Sequence, residues 1–202
     1  GIYIFTWDKL RKYLIEDEND KNSENDFGKN IIPKMLADGQ RMYAYQFDGY
    51  WKDVGTISSL WEANMDVLKG DEFNLDDDKW KIYARNNAEP PHYVAQTGNV
   101  SNCLVSEGTV INGTVKNSII SNSVKIGKDA YIEDSVIMPG AVIEDGADIR
   151  YSIVGWNATV GKNCMVGETL EHCNPGEWKI SVIAPNYNLA PNSVVGANEM
   201  IG

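Results

Sequence analysis

The sequence has no apolar run approaching the ~18–20 residues that a membrane-spanning helix requires, so no such span and no membrane partner is expected. Cysteine is scarce. Cys103, Cys164 and Cys173 form an odd set without a C-x-x-C pair, which argues against a disulfide framework or a zinc site and for reduced thiols in a cytoplasm-like compartment. Positive charge is also in deficit: 18 Lys and Arg stand against 29 Asp and Glu, a net charge of −11. A chain so acidic lacks the field that holds nucleic acid non-specifically, and no nucleic-acid partner is expected. The apolar opening Gly1-Ile-Tyr-Ile-Phe5 has no basic flank and runs into an acidic helical segment. It reads as a strand rather than a signal peptide, and as one that begins abruptly, as if cut from a longer chain.

What the sequence does contain is repetition, the feature that decides architecture when it is present. Val115-Lys-Asn-Ser-Ile-Ile120, Ile132-Glu-Asp-Ser-Val-Ile137 and Ile149-Arg-Tyr-Ser-Ile-Val154 follow one another at a spacing of 17 residues. A second series, from Ile126, Ile143 and Val160, keeps the same period. Within a period the aliphatic positions advance by 6, 6 and 5, as in 120, 126, 132 and 137. Neither a helix nor a lone strand produces that rhythm. A triangular coil does, with three short sides each sending one large aliphatic side chain inward and successive coils stacked at about the 4.8 Å inter-strand spacing. Small residues follow at fixed offsets, Ala130, Ala147 and Cys164 in one column and Val124, Ala141 and Ala158 in another, which suits a narrow interior and makes Cys164 core filler. Cys103 aligns with the Ser118, Ser135 and Ser152 column only at a spacing of 15, so the first coil is irregular. The rhythm breaks over 167–179, around His172, Pro175 and Gly176, and resumes at Ile183, Leu189 and Val195. That break reads as an inserted loop.

The front of the chain follows another logic. Trp7, Leu10, Tyr13 and Leu14 mark a helical face, residues 16–25 an acidic, Asn-rich loop, and Asp26–Pro33 the entry to a second short helix. Arg41–Phe47 reads as a strand, and Gly49–Thr56 as a turn-rich stretch opening a helix over Ile57–Leu68, with Tyr50 and Trp51 packing against it. Alternating strands and helices indicate an α/β domain, here only its tail end. The expected organisation is 1–68 as the α/β part, 69–97 as linker and 98–202 as β-helix.

Several stretches together resemble a known family. Gly1-Ile-Tyr, Asn25-Asp-Phe-Gly-Lys-Asn-Ile-Ile-Pro33, Tyr50-Trp-Lys-Asp-Val-Gly-Thr56 and Trp61-Glu-Ala-Asn-Met-Asp66, followed by hexapeptides, look like ADP-glucose pyrophosphorylase (glucose-1-phosphate adenylyltransferase), and specifically its catalytic-type subunits. The resemblance implies a mainly β fold, a left-handed parallel β-helix preceded by the C-terminal piece of an α/β nucleotidyltransferase domain. It also implies formation of ADP-glucose and pyrophosphate from ATP and glucose 1-phosphate with Mg2+, in glycogen biosynthesis, by a homo-oligomer (tetrameric in the family) under allosteric control. Asp53 falls at a catalytic, metal-binding carboxylate of the family, and Asp26 at an aspartate on the sugar-phosphate side. Read without the resemblance, Asp53 is a turn aspartate before Gly55 and Asp26 a helix N-cap. Anionic effectors would seek basic residues such as Lys116, Lys125 or Arg150, which are equally explained as exposed strand positions.

The family's glycine-rich phosphate loop, its Glu-Lys-Pro segment and its other metal aspartate have no counterpart here. The expectation is therefore a C-terminal fragment, inactive alone, that supplies an oligomerisation and regulatory β-helix. Two other readings stand beside it. One is a non-catalytic β-helix scaffold or regulatory subunit. The other is a hexapeptide acyltransferase using a histidine base, disfavoured because His92 sits in the linker and His172 in the irregular loop.

Overall fold

The computed structural model describes residues 1–70, 75, 77–84, 88–167 and 180–202. It divides into two compact units, Gly1–Gly49 and Tyr50–Gly202. The second contains every strand among the described residues.

These strands, two or three residues each, stack into three parallel sheets of six, one for each side of a coil. One sheet runs from Tyr93–Val94 to Asn188–Leu189, the second from Asn99–Ser101 to Val194–Val195, the third from Leu104–Val105 to Met200–Ile201. The register reproduces the sequence period: Val115 pairs with Ile132, Ile132 with Ile149, and Ile149 with Val166. The short first step is real, because Val100 pairs with Val115 and Val105 with Ile120. Val154 pairs with Ile183, Val160 with Leu189 and Val166 with Val195, so one coil carries additional chain. Of the loop expected at 167–179, all but Gly167 lies outside the described residues, as do His172 and Cys173. The first rung begins at Tyr93, within the stretch read as linker.

The interior is a single apolar column. Ile111, Val115, Ile120, Ile132, Ile137, Ile149, Val154 and Ile183 are fully buried, and Ala130, Ala141, Ala147, Ala158 and Cys164 fill the narrow positions. Cys164 donates its thiol to the Ala190 carbonyl at 3.0 Å. At one corner Ser118, Ser135 and Ser152 form a buried hydroxyl ladder. Each Oγ donates to the carbonyl two residues back, at 2.6, 2.7 and 2.6 Å, and accepts the backbone N–H of the next serine where one follows in the ladder. A buried polar group so paired avoids the desolvation cost of an orphan.

Coil corners require left-handed backbone. Asp129, Gly146, Asn163 and Asn192 occupy one corner at φ between 56° and 71°, and Asn102, Asn117, Asp134 and Tyr151 another. Asn, Asp and Gly tolerate this conformation and bulkier residues do not. At Gly146 a Cβ would collide with Asn163 Oδ1 of the next coil. Tyr151 is the costly exception at φ 48°. Its ring lies 4.5 Å from that of Trp61, so the strained corner faces an added element.

That element is α3, Ile57–Lys69, capped by Thr56 and Ser59 in a reciprocal capping box and closed by Gly70 at φ 72°. Its apolar face, Leu60, Trp61, Met65 and Leu68, packs on Ile119, Val136, Ile153 and Val182 of the third sheet. Trp61 Nε1–H donates to the Asp134 carbonyl at 2.8 Å. The helix expected over Ile57–Leu68 is thus present, docked on the β-helix.

In the first unit α1, Trp7–Glu18, runs beyond the loop boundary read at 16, and a π-helical turn, Phe27–Ile31, leads into α2, Ile32–Ala37. Tyr13, Ile31 and Met35 form its small core. The strands expected at Gly1–Phe5 and Arg41–Phe47 do not form. Strand geometry is stabilised by a paired ladder, and no described residue of this unit supplies one.

Candidate functional site

Asp53 lies in a segment outside helix and sheet, Tyr50–Gly55, that leads into α3. Its Oδ1 accepts the Gly55 N–H at 3.0 Å, the two-residue turn contact typical of Asp before a helix entry. The residue is exposed, so the carboxylate is open on one side.

The segment is held from behind. Tyr50 and Lys52 are half-buried whereas Trp51 and Asp53 are exposed, an alternation of period two. Tyr50 Oη donates to Asp66 Oδ2 at 3.1 Å and Lys52 Nζ to the same oxygen at 2.9 Å, while Lys69 Nζ donates to Oδ1 at 2.7 Å. Lys52 also meets Glu62 at 3.0 Å. Asp66 is only 5% exposed, and its two lysine partners, Lys69 first, hold its carboxyl down at about 2. Hydrogen bonds to Asp66 and then Glu62 keep Lys52 protonated well above its ordinary range. A cavity of about 270 Å³ opens beside this cluster, lined by Lys52, Trp61, Met65, Asp66, Lys69 and Asn117. Tyr50 therefore packs as the sequence suggested, but Trp51 does not: it is 58% exposed, because its side chain takes the outward place in the alternation.

Asp26, in the other unit, caps the π-helical turn. Its Oδ1 accepts the Lys29 N–H at 2.8 Å, and its own N–H donates to Asn30 Oδ1 at 3.2 Å. This N-cap role uses one carboxylate oxygen.

The basic residues named as effector candidates project from the coils. Arg150 is engaged by Asp148 at 2.7 and 3.0 Å and stacks 4.6 Å above the Tyr131 ring, with Lys116 Nζ 5.3 Å from the same ring. Lys125 is an exposed strand position. His92 is exposed in the approach to the first rung.

Among the described residues no group of three or more His, Cys, Asp and Glu could hold a metal ion. Asp53 fits magnesium in a narrower sense: it is an exposed carboxylate with one oxygen committed to a turn contact. Mg2+ is commonly held by one or two carboxylates together with substrate phosphate, and Asp53 suits one such place in a shared site.

Comparison with known proteins gives these positions a context. A nucleotidyl transferase family model matches residues 1–70, and a GlmU-like C-terminal hexapeptide model matches residues 90–181. Over all 202 residues the chain is 48% identical to the glucose-1-phosphate adenylyltransferase of Clostridium beijerinckii, covering 50% of that protein. It is likewise 48% identical to the enzyme so named from Clostridium perfringens (strain 13), covering 48% of it. Over its whole length the chain is similar to proteins named glucose-1-phosphate adenylyltransferase. A third relative so named, from Clostridium kluyveri, is 50% identical over 196 residues, which is 96% of this chain and 49% of that protein. The chain spans about half the length of the curated relatives it matches. Both parts of the adenylyltransferase resemblance are represented, with the Asp26 and Asp53 motifs in the first and the coils in the second.

What sequence reasoning missed is Asp66. In the sequence it stands only as the end of the Trp61–Asp66 motif, yet it is the acceptor that ties the Asp53 segment to α3. An acid set between Met65 and Val67-Leu68, three residues before Lys69, is the available signal.

Proposed function

We propose that this chain forms part of an enzyme that makes ADP-glucose and pyrophosphate from ATP and glucose 1-phosphate, with Asp53 as a metal-side carboxylate and Asp26 on the sugar-phosphate side. The observation that carries the reading is the end-to-end alignment with adenylyltransferases together with the outward presentation of Asp53 from a segment braced on α3. In such a reaction a sugar-phosphate oxygen attacks the α-phosphorus in line and pyrophosphate leaves, which is largely a matter of positioning and charge. Bound Mg2+ would neutralise phosphate charge and align the two substrates. Asp53 would give it a carboxylate oxygen, and the Asx turn with Gly55 orients that carboxylate. Asp26 would act from the start of the π-helical turn, with Oδ1 retained as the cap. The β-helix would serve assembly into a homo-oligomer and effector response, in the cytoplasm where these substrates occur.

The test is a splice in which this chain replaces the aligned half of the Clostridium beijerinckii relative. Magnesium-dependent pyrophosphate release from ATP and glucose 1-phosphate is expected. A folded splice without turnover would overturn the reading and leave the β-helix scaffold as the account of the chain. The 202-residue chain alone is expected to release no pyrophosphate.

A further inference from the structure

We propose that Asp66 is a positioning residue that sets the register of the Tyr50–Gly55 segment and so decides that Asp53 faces outward. For its catalytic consequence the proposal rests on the transferase reading above; its structural half stands without it.

The argument begins with the alternation. Along residues 50–53 half-buried and exposed side chains alternate as they do in strand-like backbone, so fixing Tyr50 and Lys52 inward turns Trp51 and Asp53 outward. Both inward residues end on one atom, Asp66 Oδ2, at 3.1 and 2.9 Å. Lys52 is also paired with Glu62 of α3 at 3.0 Å, while Trp51, Asp53, Val54 and Gly55 are exposed and the backbone of the segment belongs to no sheet. A slip of one residue would exchange the faces. It would bring Trp51 or Asp53 towards the buried Asp66 carboxylate and carry Lys52 into solvent. An apolar anchor would tolerate that exchange, because a Trp suits an apolar site as well as a Tyr. A buried carboxylate rejects it, because Asp53 would meet a like charge with no donor to offer. Buried ion pairs are poor sources of net stability, and their best-attested use is to fix a register.

The anchor is itself fixed. Asp66 follows Met65, which is buried against Val136, Ile153 and Ile180, and one turn earlier Trp61 is bonded to the Asp134 carbonyl. Lys69 occupies the remaining oxygen, Oδ1, and leaves Oδ2 to the segment. Two side-chain contacts on the way from the coils to Asp53 are thus Trp61 to Asp134 and Asp66 to Lys52.

The experiment uses the 202-residue chain, with exchange of the hydrogen-bonded amides of Gly55 and Thr56 measured against β-helix amides such as Ile126 and Ile143. Asp66→Asn and Lys52→Met are each expected to speed exchange at Gly55 and Thr56 by roughly tenfold or more, as local opening predicts, and to leave the coil amides unchanged. Lys52→Arg is expected to restore protection. Lys52→Met keeps Asp66 paired with Lys69 and Tyr50, so it serves if Asp66→Asn does not fold. In the spliced enzyme Asp66→Asn should lower kcat, leave the KM for glucose 1-phosphate within about twofold and raise the Mg2+ needed for half-maximal rate. A merely less stable protein would lose active fraction without moving the Mg2+ requirement. Unchanged exchange at Gly55 and Thr56 in both folded variants would overturn the proposal. If instead Asp53→Asn turned over normally, the transferase role of Asp53 would fail, and the exchange result would still decide the register claim.

Discussion

The two units differ in where their hydrogen-bonding partners come from. In the β-helix every strand finds its neighbour about one coil away in the same chain, as Ile132 finds Val115 on one side and Ile149 on the other. In Gly1–Gly49 the stretch Arg41–Phe47 has strand-like alternation but no partner within its unit, and Tyr43 and Tyr45 are 90% and 88% exposed. The lesson is that alternation proposes a strand and pairing makes one. A repeat guarantees pairing because it carries its own template. A single alternating segment does not.

The sharpest way to break that comparison is to wound both units. Ile132→Ala, in the middle of the fully buried column, should cost about 3–4 kcal/mol, read as a fall in the denaturant midpoint of the coils. Ser135→Ala should follow at about 1–3 kcal/mol, because it leaves the buried Ser152 N–H without its acceptor and the Glu133 carbonyl with the Tyr151 N–H alone. Equal stability of Ser135→Ala and the parent would show that the ladder is incidental. Acid gives a graded, local effect. The Asp66 carboxyl is held at about 2 against an ordinary 3.8, so its contribution is present above about pH 4 and is lost as pH falls through about 2. Asp134, whose carboxyl burial pushes up, works the other way and gains as it protonates. Protection of the Gly55 and Thr56 amides should therefore fall below about pH 4 before that of the coil interior; simultaneous loss would contradict the local role of Tyr50, Lys52, Glu62 and Lys69 around Asp66. Smallest of all, Tyr45→Ala should change the stability of the chain by no more than about 0.5 kcal/mol. A cost near that of Ile132→Ala would show that the front unit is packed in solution.

Much of the β-helix was legible because its signal is redundant. The central coils restate the 6-6-5 steps, so the short step from Val100 to Val115 and the added chain between Val154 and Ile183 can be bracketed from spacing alone. The corners carried a second signal that spacing alone did not exploit, the Asp, Gly or Asn just before Ala130, Ala147 and Cys164. The docking of α3 was not legible. It depends on Trp61 meeting a strained Tyr151 ninety residues away, and a single pair has no period. The same holds for Lys52 and Asp66, whose ion pair joins a loop to a helix. Asp26 shows the limit from the other side: the sequence offered an N-cap and a substrate ligand, and the fold displays the cap. Trp51 was read as packing because it is aromatic, but its place in the alternation outweighs its apolarity.

The most direct test of the central claim concerns Asp53 itself. In the spliced enzyme, Asp53→Asn replaces one exposed carboxylate by an amide of the same shape. Pyrophosphate release should fall by about three orders of magnitude or more, as loss of transition-state charge stabilisation predicts, with the thermal midpoint unchanged. Near-normal turnover by Asp53→Asn would contradict the account and return Asp53 to the role of a turn aspartate.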